Sequence, residues 1–310
     1  MQRPNFPHGI KKVYILILIL KVTVLTRFLY LFRMIPIFLP KSFFKKLDKI
    51  ISAFIWNNKI ARINKAHLQG SRKIGGLALP NFLHYYWSSN ITKLPIWLST
   101  FQSGEGPTWA TMELHSSLPI SPVSLISSTL PMNLKSCAKN PVVHNTIRIW
   151  FQCRQHFDCK QTLTSISITS NPLFLPSQID SAFTFWRRQG IRFFRDLFID
   201  NIFMSFDTLV RNFNIPQTQF FRYLQVRNFT KINFRTFPHL PPDSHLAGCL
   251  HVTGNLKGHI SRVYDIIQQI NPPSLIRRKT AWEEDLSVDI PEATWDEAIS
   301  RSINCWESGA

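Results

Sequence analysis

The residues that could do chemistry in this chain are scattered rather than grouped. Cys153 and Cys159 flank His156, but a zinc site needs a fourth ligand and usually a closer cysteine pair. The five cysteines are odd in number and irregularly spaced, which predicts free thiols rather than a disulfide framework. We therefore expect no metal site, and an intracellular rather than a secreted protein.

The sequence also lacks the motifs of common catalytic sites. No two aspartates are adjacent, so the tight carboxylate pair of a polymerase's two-metal site is missing. There is no Walker-type loop, no Gly-x-Ser-x-Gly and no His-Glu-x-x-His, and Gly75-Gly76 is too short to cradle a phosphate. This predicts no enzymatic activity for the chain on its own, no cofactor and no small-molecule substrate.

Positive charge is the strongest chemical signal in the sequence. The 310 residues include 36 Lys and Arg against 18 Asp and Glu, a net charge of +18. Residues 1–100 carry 16 of these cations and one acid, Asp48, whereas residues 281–310 carry one cation and eight acids. This excess favours a polyanionic partner, nucleic acid or an acidic membrane surface, over a set of solvated helix faces.

An amphipathic helix precedes the most basic stretch of the chain. From residue 41 to residue 56, apolar side chains recur at helical spacing, and four lysines lie off that face. The predicted inward face consists of Phe43, Phe44, Leu47, Ile50, Ile51, Phe54 and Ile55. Pro40 is suited to the helix start, and Trp56 continues the apolar face as an anchor.

Two turns follow this helix. Asn57 and Asn58 favour a turn because asparagine tolerates left-handed backbone, and Gly75-Gly76 predicts a second turn before Pro80. Cations interleaved with aromatic side chains in this stretch are typical of nucleic-acid binding. Tyr and Trp residues at helical spacing are also typical of a protein core, so both interpretations stay open.

The N-terminal apolar run is interpreted as a buried helix or strand. From residue 13 to residue 20 it has eight residues, short of the ~20 that span a bilayer, and Lys21 interrupts it. A signal anchor is the alternative. We expect a membrane to be a less favoured partner than nucleic acid.

The remaining sequence predicts a mainly α fold with two helical units joined by a Ser/Pro-rich loop. The units are residues 1–98 and 140–310, and the loop is 99–139. Ser205 is suited to cap a helix, and Pro216 to open another that turns Phe220, Phe221 and Leu224 inward. Further helices are predicted near residues 259–270 and, from a capping box at Asp289 and Glu292, near the acidic end.

An ordered series of segments resembles LINE-type non-LTR retrotransposon reverse transcriptases. It includes FIWNNK at 54–59, RI at 62–63, GGLALPNF at 75–82 and YY at 85–86. The stretches at 25–56, 203–229, 256–267 and 281–299 extend the resemblance over residues from about 20 to 304. The resemblance implies the thumb that follows the palm, and the helical region beyond it.

The same resemblance defines what is missing. The family's endonuclease domain and the palm with its metal-binding aspartates would lie before Met1, and a cysteine-histidine knuckle commonly follows the acidic segment. The resemblance implies RNA or an RNA/DNA duplex as the partner. Our hypothesis is that five cations contact phosphates: Lys59, Arg62, Lys65, Arg72 and Lys73.

Three interpretations follow from the sequence. The first is a non-catalytic nucleic-acid-binding fragment of a reverse transcriptase. The second is a translated remnant without function, whose thumb would expose apolar surface such as residues 15–20 in the absence of a palm. The third is a membrane-surface protein that uses its cationic N-terminal helices.

Overall fold

The computed structural model is mainly helical, as the sequence predicts. It describes residues 8–70, 76–116, 122–127, 139–159, 164, 167–169, 171, 173–242, 244–252, 258–270, 283, 287–291 and 293–294. The chain divides into two compact units, and one boundary between them falls between Tyr86 and Trp87. Among the described residues, the first unit contains 8–35, 39–70, 76–86, 283, 287–291 and 293–294, and the second contains 36–38 and 87–270 wherever it is described.

The N-terminal helix is longer than the apolar run suggested. Helix α1 (His8–Ile19) continues through a π-helical segment (Leu20–Leu25) into α2 (Thr26–Met34). Val13, Ile17 and Leu20 are buried, as expected for a core helix. Ile15 and Ile19 are not, with 55% and 45% of their surface exposed, so the prediction of a buried element holds for one face only.

In the first unit, α2 packs against α3 (Lys41–Trp56) and against the start of α5 (Phe82–Ile91). The short helix α4 (Lys65–Gln69) lies between α3 and α5 in the sequence. Phe32 and Phe44 are buried beside Tyr86, whose ring centroid lies 5.1 Å and 5.2 Å from theirs. The Tyr86 hydroxyl accepts a hydrogen bond from the Leu39 amide at 2.9 Å. Aromatic contacts therefore hold this small core together.

Helix α3 has the predicted bounds but a narrower buried face. Phe44, Ile51 and Ile55 are buried, whereas Ile50 and Phe54 are 66% and 44% exposed. The prediction that Ile50 and Phe54 turn inward was wrong. The buried positions follow seven- and four-residue spacing, and the two exposed residues lie at the edge of that stripe.

The stretch predicted as a loop is largely helical where it is described. Helix α6 (Lys93–Ser103) ends beyond residue 98, and α7 (Thr108–Ser116) and α8 (Pro122–Ser127) follow. The buried Trp97 donates its indole N–H to Glu113 of α7 at 2.8 Å, which ties two of these helices together. Pro107 and Pro122 stand at or just before helix starts, where proline is tolerated. Residues 128–138 lie outside the described residues.

The rest of the second unit surrounds a core of large aromatic side chains. Its helices are α9 (Pro141–His156), α10 (Pro176–Ile179), α11 (Phe183–Arg188), α12 (Phe206–Phe213), α13 (Phe220–Asn233) and α14 (His259–Ile270). Strands β1 (Phe198–Ile199) and β2 (Ile202–Phe203) pair antiparallel. Asp200 and Asn201 join them with positive φ, as a two-residue hairpin turn requires.

The two helices after residue 204 differ from the prediction in their inward face. Ser205 caps α12 by accepting a hydrogen bond from the Thr208 amide, and a 3-10 turn (Gln217–Gln219) leads into α13. Phe220, Phe221 and Leu224 are 43%, 77% and 36% exposed, so their predicted burial was wrong. The buried residues of α13 are Tyr223, Val226 and Thr230. Of the final helix predicted from Asp289 and Glu292, only Ala293 and Thr294 are described, and both are helical; Glu292 and residues 295–310 lie outside the described residues.

Candidate nucleic-acid interface

A left-handed turn ends α3 and starts the basic stretch. Asn57 and Asn58 have φ values of 50° and 59°, which asparagine adopts more readily than most residues. The Asn58 amide donates to the Ala53 carbonyl at 2.9 Å, and the Lys59 amide donates to the Trp56 carbonyl at 3.0 Å. The turn thereby satisfies carbonyls at the helix end.

Lys65 has a partner that the sequence did not reveal. Asn64 caps α4 by accepting from the Ala66 amide at 2.9 Å, which places Lys65 at the first helical position. There the Lys65 ammonium forms an ion pair with Asp48 of α3. The single acid among the first 100 residues therefore offsets the charge of one predicted phosphate ligand.

The segment before α5 makes a close backbone contact with the end of α4. The Ala78 amide donates to the Gly70 carbonyl at 2.9 Å, and the Leu79 amide donates to the Leu68 carbonyl at 2.7 Å. A Cβ atom on Gly76 would lie 2.1 Å from the Gly70 oxygen, so only glycine fits there. Pro80, which follows, is buried. Arg72, Lys73 and Gly75 lie outside the described residues.

Three cations from two distant parts of the sequence line one cleft of about 530 Å³ in the first unit. Lys59 and Arg62 come from the turn, and Lys12 comes from α1. All three are exposed, and the described part of the chain places no carboxylate in an ion pair with them. Sequence reasoning missed Lys12, because nothing local connects it to a turn more than forty residues away.

Trp56 occupies an intermediate position between core and cleft. It is half-buried and lines the same cleft as the three cations. It also lines a small cavity of about 60 Å³ beside Leu68 and Pro80. The predicted anchoring role and an exposed aromatic edge are therefore both compatible with its position, and the apolar residues Ile60 and Ile63 extend the cleft wall.

The first unit has further exposed cations that do not line the cleft. Lys45, Lys46 and Lys49 are exposed on the outer face of α3, where the sequence predicted them. Cations of the second unit include several that are partly structural. The Arg154 guanidinium donates to the Ile126 carbonyl, and burial lowers its pKa, with the nearby Cys159 acting in the opposite direction.

One helical stretch among the described residues is long and apolar enough to cross a membrane, judged by length and composition alone. It runs over Lys12–Met34, and 22% of its apolar window is buried. Core helices of soluble proteins and signal sequences share these properties. No family model matches the chain.

Proposed function

We propose that this chain is a non-catalytic nucleic-acid-binding segment of a LINE-type retrotransposon reverse transcriptase, with RNA or an RNA/DNA duplex as its partner. The convergence of Lys12, Lys59 and Arg62 on one cleft is the observation that carries the proposal. The resemblance of residues 54–86 to that family supports the same partner. Lys65, which Asp48 neutralises in part, is a secondary contact.

The chemistry of the cleft suits an unpaired stretch of RNA. Each cation that meets a phosphate releases counterions, which gives affinity that falls as salt rises. The half-buried Trp56 offers an aromatic surface on which a base can stack, a contact of about 1–3 kcal/mol in single-strand-binding proteins. The cleft volume of about 530 Å³ lies within the range of small-ligand pockets.

The decisive experiment replaces the three cleft cations together. We expect the variant with Lys12→Ala, Lys59→Ala and Arg62→Ala to bind single-stranded RNA more weakly, with a flatter log–log salt slope. The slope should fall in magnitude by about 0.7 for each phosphate that the variant no longer neutralises. The measurement is RNA affinity across a salt series.

A matched variant separates a local site from general charge. Arg188→Ala, Lys231→Ala and Arg235→Ala remove the same charge from exposed positions of the second unit. If the two variants lose affinity equally, only the overall charge attracts RNA and the proposal fails. The proposal is supported if the control keeps its salt slope while the cleft variant does not.

A comparison of RNA structures distinguishes a binding protein from a remnant without function. The wild-type chain is titrated with a hairpin carrying a flexible tail and with a homopolymer single strand. We expect the hairpin to keep an advantage at high salt, because a folded site reads shape as well as charge. Parallel loss of both affinities, together with non-cooperative unfolding, would instead identify a functionless remnant.

A further inference from the structure

The helix formed by α1, the π-helical segment and α2 has an exposed apolar face that the cleft does not use. We define this face by its exposed residues Ile15, Ile19, Val22, Thr23, Thr26 and Tyr30. Val22 and Tyr30 are 68% and 64% exposed. Large apolar side chains that follow one another along a helix surface are typical of an interaction site.

The two threonines on this face do not interrupt its apolar character. The Thr23 hydroxyl donates to the Ile19 carbonyl, and the Thr26 hydroxyl donates to the Val22 carbonyl, each at 2.7 Å. Both polar groups are therefore satisfied within the helix, and their methyl groups can face outward. A medium that offers no hydrogen bonds can cover this face without leaving those donors unpaired.

Cations flank the apolar face, and acids are absent from its helix. Lys12 lies before Ile15, Arg27 lies between Thr26 and Tyr30 in sequence, and Arg33 follows Tyr30; all three are exposed. Residues 8–34 contain no Asp or Glu. Long basic side chains can keep their charge at the level of lipid phosphates while their stems lie along apolar surface. This charge pattern complements an anionic bilayer.

We propose that this face docks on the surface of an anionic bilayer, with the helix lying along the membrane rather than across it. The opposite face is already occupied, since Val13, Ile17, Leu20, Leu25 and Phe32 are buried. Insertion of the whole helix would remove those side chains from the core of the first unit. RNA would leave Ile15, Ile19 and Val22 exposed, whereas acyl chains cover them.

The test is flotation of the full-length chain with lipid vesicles. Vesicles of phosphatidylcholine alone are compared with vesicles that contain phosphatidylglycerol as well. We expect the chain to float with the anionic vesicles, and the variant Ile15→Gln, Ile19→Gln, Val22→Gln to lose at least about tenfold in partitioning. The variant Ile15→Leu, Ile19→Leu, Val22→Leu should retain binding.

Matched controls decide between the possible results. Met112→Gln, Ile179→Gln and Ile232→Gln remove exposed apolar side chains from helices of the second unit and should leave flotation unchanged. Circular dichroism verifies that each variant keeps its helices, and the leucine variant provides a test that does not depend on polar substitution. Equal flotation of the wild-type chain and the first glutamine variant would overturn the proposal, because charge alone would then suffice.

Sedimentation provides a second way to refute it. If the wild-type chain is a dimer and the first glutamine variant is a monomer, the face joins two copies of the chain and the membrane proposal fails. An unchanged sedimentation profile, with flotation abolished, supports it. RNA affinity of the same variant should equal that of the wild type. The membrane proposal can therefore be refuted without refuting the nucleic-acid proposal, and the reverse also holds.

Discussion

The large tryptophan side chains named here are placed differently in the two units. In the second unit Trp87, Trp97, Trp150 and Trp186 are fully buried. In the first unit Trp56 is half-buried beside three cations, and Ile15, Val22 and Ile60 are exposed. These four tryptophans therefore serve the stability of the second unit, whereas Trp56 and its apolar and cationic neighbours in the first unit remain available to partners.

Hydrogen bonding of the indoles supports this distinction. The indole N–H groups of the four buried tryptophans each have an acceptor: Gln152, Glu113, the Ile126 carbonyl and Gln219, respectively. Buried polar groups that are fully satisfied make a core specific as well as stable. Cations of the second unit also take part in this packing, because Arg187 lies 4.0 Å from the centre of the Phe101 ring.

The largest expected effect is the loss of stability when a buried tryptophan is removed from the core of the second unit. Trp150→Ala should lower the free energy of unfolding by about 3–5 kcal/mol, because it removes a fully buried ring and leaves the Ile126 carbonyl without that donor. Chemical denaturation measures the change. Trp109→Ala, at a position 37% exposed in α7, should cost much less. If both variants lost a similar amount of unfolding free energy, burial would not determine how much a tryptophan contributes to the stability of this unit.

Sequence patterns located helix ends better than helix faces. Pro40 and Asn57 mark α3 because a proline start and a left-handed asparagine are local features of the backbone. The inward face of α13 was missed, since a 3.6-residue period gives a stripe without saying which edge meets the core. Phe220 and Phe221 therefore looked internal, although Tyr223 and Val226 are the buried residues.

The candidate site was predictable only in its local part. The basic composition of the stretch after Trp56 is enough to predict Lys59 and Arg62 as candidate phosphate contacts. The contribution of Lys12 and the pairing of Lys65 with Asp48 depend on contacts between elements distant in sequence. Periodicity and spacing carry no information about such contacts, so the sequence could not separate an available cation from a neutralised one.

A smaller effect is expected from the backbone contact of the first unit. Gly76→Ala should destabilise this unit by about 1–3 kcal/mol, because the new Cβ would meet the Gly70 carbonyl oxygen and force the chain apart. The measurement is hydrogen exchange of the Ala78 and Leu79 amides, which should become faster. Gly248→Ala in the second unit is the control, since its Cβ would meet Ile266 at an ordinary 3.8 Å. An unchanged exchange rate at Ala78 would show that the chain tolerates a Cβ atom at residue 76 without losing the hydrogen bond to Gly70.

The smallest expected effect compares the ion pairs of the two units. Asp180 accepts a hydrogen bond from Arg222, which holds the pKa of the carboxyl below its usual value, and it also accepts from the Ala182 amide at 2.9 Å. A lowered pKa in the folded state stabilises the protein above the unfolded value of about 3.9. That stability is lost as pH falls through the folded value.

Asp180→Asn should therefore cost up to about 1 kcal/mol at pH 7 and progressively less as the solution becomes acidic, because the pair is partly exposed to solvent. Denaturation of wild type and variant between pH 7 and pH 2 gives the difference. Asp48→Asn, which breaks the pair with Lys65, should have a similarly small effect on stability but should strengthen RNA binding by releasing a cation near the cleft. If Asp48→Asn instead weakens RNA binding, Lys65 is positioned by Asp48 rather than neutralised by it, and the two units would then use their ion pairs for the same structural purpose.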